Sequence, residues 1–147
     1  NPYTPPVSLI FGLRESLNMI FEEGLENIAK RHELLAKAVR AAVKALGLEL
    51  LADESVSSSV VTAIKAPANV SAKDIQKHLR EVYGITVAGG QKTLEGKIFR
   101  IGHLGYASMA DVFVVISMLE MTLQTLGVAV NLGAGVKAAQ EVFLQAQ

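Results

Sequence analysis

Apolar residues recur at helical spacing near the start of the chain, where Ile10, Leu13, Leu17 and Ile20 fall on one face of a helix. Pro5 and Pro6 precede that run, and proline suits a first helical turn while holding the residue before it out of helical geometry. Gly24 predicts a break. A second helical pattern follows through Ile28, Leu35, Val39, Val43 and Leu46, and Gly47 closes it as a C′ residue. The chain therefore opens on a helical segment of about forty residues.

The period then shortens. Leu48–Leu51 predicts a short strand, the polar run 53–59 a loop, and Val60–Ala66, rich in β-branched residues, a second strand. Ser71 with Asp74 three residues on predicts a capping box, opening a helix whose buried stripe is Ile75, Leu79 and Val82 and whose end is Gly84. Residues 85–90 predict a strand into a Gly89-Gly90 turn, and residues 97–103, "KIFRIGH", predict the next strand. Ser108 and Asp111 repeat the cap pattern ahead of an apolar helix through Val112, Val115, Ile116, Leu119 and Leu123. A glycine-rich link leads to a last amphipathic helix with Val136, Ala139, Val142 and Phe143. The predicted order is α-α-β-β-α-β-β-α-α. Runs of strands separated by single helices indicate an α+β fold, with a small, mostly antiparallel sheet packed against helices and preceded by the long helical segment.

Composition narrows the function classes. With 147 residues, half of them hydrophobic, the chain can bury the core of one domain. Fourteen basic residues balance fourteen acidic ones, so no clustered basic surface points to nucleic acid. Lys30, Arg31, Lys37, Arg40 and Lys44 are interleaved with Glu26 and Glu33 and read as a solvated helix face. The chain has no cysteine, which removes disulfides, thiolate metal ligands and a cysteine nucleophile from its chemistry; this suits a cytoplasmic protein. No stretch has the form of a signal peptide. The longest apolar region, 112–123, is too short for a bilayer and contains Glu120, so no membrane partner is expected. The chain begins with Asn1 rather than Met, as a piece of a longer protein would.

Candidate chemistry centres on Arg100, a guanidinium inside an apolar strand. Side chains alternate along a strand, so Phe99 and Ile101 are expected to face the core while Ile98, Arg100 and Gly102 face the other way. An arginine on a rigid strand beside a glycine is suited to grip a carboxylate through two parallel hydrogen bonds. The same spacing is compatible with a surface arginine paired to an acid such as Glu95. His103 reads as a structural imidazole bonded to turn backbone or as a titrating group; His32 and His78 read as solvated helix residues, and three scattered histidines make no metal site. The glycines at 88–90 and 133–135 fit neither the dinucleotide nor the phosphate-loop pattern. Serines 55 and 57–59 lack a His–Asp arrangement, and no lysine stands out as a Schiff-base former. Residue chemistry alone assembles no catalytic set and leaves a domain that grips an anion through Arg100.

The segments "NPYTPPVSLIFGLRESL", "EEGLENIAKRH" and "YGITVAGGQKTLEGKIFRIGHLGYASMADV", with "LGAGVKAA" near the end, resemble the C-terminal part of class V, fold-type I pyridoxal-phosphate aminotransferases of the alanine–glyoxylate and serine–glyoxylate (serine–pyruvate) branch. The resemblance runs over nearly the whole chain. It implies an amino transfer between a small amino acid, of alanine or serine type, and an oxo acid such as glyoxylate or pyruvate. It also implies that residues 1–23 cross from a large domain and that residues 24–147 form the small C-terminal domain. The cofactor would be pyridoxal phosphate, held on a lysine of the absent large domain. The family's carboxylate-binding arginine falls on Arg100. The threonine that reaches the cofactor phosphate of the neighbouring subunit falls on Thr4, with Tyr3 adjacent, which implies a homodimer. Where some members place a further phosphate-contacting tyrosine, this chain has Asn1. No catalytic residue and no metal ligand transfers to this chain, and the isolated piece is expected to be inactive. Some relatives carry the label soluble hydrogenase subunit, although a chain without cysteine has no thiolate for such a centre. A stand-alone ligand-binding or regulatory module and an interaction subunit of a hydrogenase complex remain as alternatives.

Overall fold

The computed structural model describes residues 3–146. The chain divides into two compact units, residues 1–31 and residues 32–147. Helix α1 spans Val7–Glu23 and helix α2 spans Leu25–Ala45. Gly24 separates them with φ of 84°, in the region that favours glycine. After a single 3-10 turn at Glu54–Val56 come strand β1 (Val61–Lys65), helix α3 (Ala72–Tyr83) and strand β2 (Ala88–Gly89). A second 3-10 turn at Lys92–Leu94 leads to strand β3 (Ile98–Gly102), helix α4 (Met109–Thr125) and helix α5 (Ala134–Leu144).

Within the first unit, α1 buries none of its residues. The expected stripe of Ile10, Leu13 and Leu17 is exposed, as are Leu9, Phe11 and Phe21. The apolar residues run round the helix rather than down one side, so periodicity alone marked a buried stripe that the unit does not form. The break at Gly24 is steadied by the Glu23 carboxylate, which accepts from both Nε and Nη2 of Arg31.

The second unit is built on an antiparallel sheet in the order β1-β3-β2. In register, Thr62 faces Ile101 and Ile64 faces Phe99, with Gly89 on the other side of Phe99. These positions point to one face, where Val39, Val43, Ile75, Leu79, Ile116, Leu119 and Leu123 complete the core. The predicted strand at 48–51 is reduced to a bridge between Leu50 and Ile64, with two flanking bonds, Leu51 N–H to Ala63 O and Lys65 N–H to Glu49 O. Gly47, at φ of 72°, turns the chain immediately before it and the Asp53 turn takes it away, leaving too few residues for a ladder.

The two predicted caps differ. At α4 the box is complete: Asp111 N–H donates to Ser108 Oγ at 3.4 Å and Asp111 Oδ2 accepts from the Ser108 amide at 2.8 Å. The Ser108 hydroxyl, which donates to Asp111 Oδ2 at 2.7 Å, and after it the Ser108 amide hold the Asp111 carboxyl below its ordinary range. At α3 the box does not form among the described residues: Ser71 Oγ accepts from Lys73 N–H, one residue short of Asp74, as a simple N-cap. No described helix is long and apolar enough to cross a membrane.

Candidate functional site

Arg100 sits at the centre of β3, flanked in register by Ala63 of β1 and Ala88 of β2. It points away from the core that Phe99 and Ile101 enter, as the alternation predicts, and it is half-buried. Two alanines leave the space around the guanidinium clear of bulk. Arg100 Nε donates to the Gly89 carbonyl at 3.0 Å, fixing the plane of the group. Its two terminal nitrogens have no protein acceptor among the described residues. The salt-bridge alternative fails for a specific reason: Glu95 is held by Lys73 at 2.6 Å, and that ammonium lowers the Glu95 carboxyl below its ordinary value.

One expected neighbour behaves differently. Ile98 shares the Arg100 side of the strand yet is only 4% exposed. The loop after β2 closes on it: Gly90 N–H donates to Ile98 O at 3.1 Å, and a Cβ at Gly90 would strike the Leu94 carbonyl and come within 2.9 Å of Ile98 Cγ1. Glycine is required there by close approach. The same tight loop places the Gly89 carbonyl that orients Arg100. Sequence reasoning missed this positioning contact, which joins residues eleven apart.

His103 lies in the core of the second unit, with a side-chain hydroxyl as the partner of its Nε2. It is 1% exposed, with Nε2 2.9 Å from Thr62 Oγ1 and its backbone N–H on Val60 O. Burial, followed by the nearby Arg40 charge, pushes its pKa down to about 4, so it is neutral at neutral pH. The unfolded chain takes up this proton near pH 6.5 and the folded one only near pH 4. Stability from His103 is therefore fully present above about pH 6.5 and lost as the pH falls from there towards 4. The loss approaches about 3 kcal/mol at the acid end, from about 1.4 kcal/mol per pH unit. Urea unfolding from pH 7 to pH 4 should show this slope in the native chain and a flatter one in His103→Asn; equal slopes would refute the assignment.

The other histidines are not solvated as expected. His32 is buried in α2. His78 is half-buried, with Nδ1 3.1 Å from Thr122 Oγ1 and its ring edge-on to Tyr83. Among the described residues no cluster of acids and histidines is placed to hold a metal, and every lysine is exposed.

The glycine-rich link before α5 holds a carboxylate of the protein itself. Glu120, 3% exposed in α4, accepts from the amides of Gly133 at 2.7 Å, Gly135 at 2.8 Å and Val136 at 3.1 Å. It caps a helix start that has no side-chain cap of its own. The only signal in the sequence is a lone charge inside an apolar helix.

Tyr3 and Thr4 precede α1 in the first unit and are exposed. Neither hydroxyl has a hydrogen-bond partner among the described residues. Asn1, the position of the further phosphate contact, lies outside the described residues.

Comparison with known proteins agrees with the resemblance. The family model described as aminotransferase class-V matches residues 3–114. The chain is 45% identical over 139 residues to the serine–glyoxylate aminotransferase of Methylorubrum extorquens, covering 94% of this chain and 35% of that protein. It is 46% identical over 143 residues to a protein of a Synechococcus strain named soluble hydrogenase, small subunit, covering 97% of this chain and 37% of that one. Among solved structures, the ureidoglycine–glyoxylate aminotransferase of Bacillus subtilis superposes with a TM-score of 0.93 at 32% identity, covering 97% of this chain and 37% of that one. The chain thus spans little more than a third of the length of the curated relatives it matches. With three quarters of its length matched by the family model and the sheet that carries Arg100 shared with solved aminotransferases, the chain belongs to the class-V aminotransferase family.

Proposed function

We propose that the whole protein is a pyridoxal-phosphate-dependent aminotransferase. It would move an amino group between a small amino acid of alanine or serine type and an oxo acid such as glyoxylate or pyruvate. This chain supplies the arginine that binds the substrate carboxylate. The observation that carries this reading is the state of Arg100: pinned at Nε by the Gly89 carbonyl, flanked by alanines and unpaired with any acid among the described residues. A guanidinium held in this way has lost little freedom on binding, and its two outer nitrogens form the fork that matches a carboxylate. Amino donors and oxo-acid acceptors share only the α-carboxylate, so one fixed arginine positions them all in turn.

Pyridoxal phosphate, when bound, supplies the electron sink that lets an amino group leave one carbon and join another. The residues of this chain that would meet it are Thr4, with Tyr3 beside it. Their exposed, unpartnered hydroxyls fit the oxygens of a phosphate. Thr4 would serve the cofactor phosphate of the neighbouring subunit, which makes the whole enzyme a homodimer with shared sites. In this reading residues 1–23 cross from the large domain, residues 24–147 form the small one, and the enzyme is cytoplasmic. The covalent anchor would come from a lysine upstream, so this piece alone would be inactive.

The test is direct. The full-length protein, mixed with pyridoxal phosphate, should show the visible absorbance of the bound cofactor and convert alanine or serine in the presence of glyoxylate. The 147-residue chain should do neither. Absence of both signals in the full-length protein would overturn the proposal. The hydrogenase name of the Synechococcus relative belongs to a different reading, an interaction subunit, in which a pinned and unpaired guanidinium has no use.

A further inference from the structure

The peptide joining Gly89 to Gly90 determines where the Arg100 side chain goes. A trans peptide unit is planar, and its N–H and C=O point in opposite directions. Gly90 N–H donates to Ile98 O of β3 at 3.1 Å, so the Gly89 carbonyl points away from β3. Strand β2 is the outermost strand on that side of the sheet, which puts the carbonyl on its outer edge. Arg100 Nε reaches it there at 3.0 Å. The arginine thus leaves β3, crosses β2 and presents its two terminal nitrogens at the edge of the sheet. Ala88 stands opposite Arg100 in register and shares its face, and Gly90 shares it too by the alternation of a strand. The crossing therefore runs between a methyl group and a Cα without a side chain. Gly90 is also fixed by its own packing: a Cβ there would strike the Leu94 carbonyl and lie 2.9 Å from Ile98 Cγ1.

We propose that Ala88 and Gly90 are positioning residues for the clamp: they keep open the path by which Arg100 crosses β2 and hold the carbonyl on which it ends, so that the substrate carboxylate is received at the outer edge of β2. The inference rests on the reading of Arg100 as the carboxylate clamp. One peptide plane carries both contacts, Gly90 N–H on β3 and Gly89 C=O on the guanidinium. Displacing Gly90 from Leu94 tilts that plane and turns the fork with it. A branched side chain at position 88 acts on the other half of the device, because it fills the space through which the Arg100 methylenes pass. Neither residue has a polar side chain to offer a carboxylate, so each acts through Arg100. A misplacement of about 1 Å in a substrate-positioning group costs up to about a hundredfold in rate.

The experiment uses the full-length enzyme, the variants Ala88→Leu, Gly90→Ala and Arg100→Ala, and the two double variants that add Arg100→Ala to each of the others. It measures kcat/KM for the amino donor, alanine or serine, and for glyoxylate. It also measures the inhibition constant of propionate, a carboxylate with no amino or oxo group to react. Ala88→Leu and Gly90→Ala should each lower kcat/KM for donor and acceptor alike by about tenfold to a hundredfold. Each should weaken propionate inhibition while the visible absorbance of the bound cofactor is retained. On the Arg100→Ala background the same changes should cost less than about twofold, because the group they orient is gone. Losses that multiply with that of Arg100→Ala, that fall on one substrate alone, or that leave propionate inhibition as in the native enzyme overturn the proposal. Native constants in either single variant overturn the role of that residue. Should Gly90→Ala fail to fold, Ala88→Leu decides, since residue 88 is exposed. Native constants in Arg100→Ala would instead remove the clamp, and the inference with it.

Discussion

Arg100→Ala in the full-length enzyme is expected to raise KM for both the amino donor and the oxo acid and to lower kcat/KM for each. As the proposed clamp, the guanidinium would make a forked pair of ionic hydrogen bonds with a carboxylate, and losing them would cost about 2–4 kcal/mol. That corresponds to about 30- to 700-fold in kcat/KM. The loss is shared by both half-reactions because the carboxylate is common to both substrates. Arg100→Lys keeps the charge but loses the planar fork and the Nε bond to Gly89, so it should fall between native and alanine. Steady-state kinetics with two donors and two acceptors decides the matter. Unchanged constants, or a loss confined to one substrate, would show that Arg100 is not the shared clamp.

The second large effect is on stability. Glu120→Ala removes a buried carboxylate that accepts three backbone N–H groups at the start of α5. The buried Gly135 amide would stay inside the fold without an acceptor, while Gly133 is exposed and Val136 half-buried, and each charge-assisted bond contributes about 1.5–3 kcal/mol, not additively. A destabilisation of about 3–5 kcal/mol is expected, near the top of the range for single substitutions. Glu120→Gln keeps one acceptor oxygen but turns an amide donor towards backbone N–H groups, so it should recover part of the loss. Gly135 has no room to adapt, since a Cβ there would lie 2.9 Å from Glu120 Oε1 and 3.1 Å from Leu46 Cγ. The expected signature is a lowered urea midpoint, with faster hydrogen exchange at Gly133, Gly135 and Val136. A midpoint within error of native would show that water can replace the carboxylate. The helix itself is docked through Phe143, whose ring meets Phe113 edge-on at 5.4 Å, so its loosening should expose core.

Much of the second unit was legible because its signals are local. Period-two alternation places Phe99 and Ile101 inward and Arg100 outward. The Ser108–Asp111 cap involves groups three residues apart, close enough for spacing to predict it. Where the partners are distant, the reading failed. The 48–51 strand needed a length of ladder that the turns on either side deny it. His78 meets Thr122 and His103 meets Thr62 across more than forty residues, and no spacing rule reports such pairs. The α1 stripe failed for another reason: periodicity reports which residues share a helix face, but burial depends on what that face meets.

By itself, the sequence determined the α+β class, the run of helices and strands, the place of Arg100 on an apolar strand and the kinship with aminotransferases. Each of these depends on residue type, short-range spacing or the order of motifs. Tertiary structure alone decided what Arg100 is able to do. It set the Gly89 carbonyl against Nε, put alanines on both flanks and turned Glu95 towards Lys73. A side chain's chemistry is intrinsic, but its freedom and its partners come from neighbours that are remote in the chain. For the same reason Glu120 looked like a stray charge in an apolar helix until the fold brought three unsatisfied amides to it.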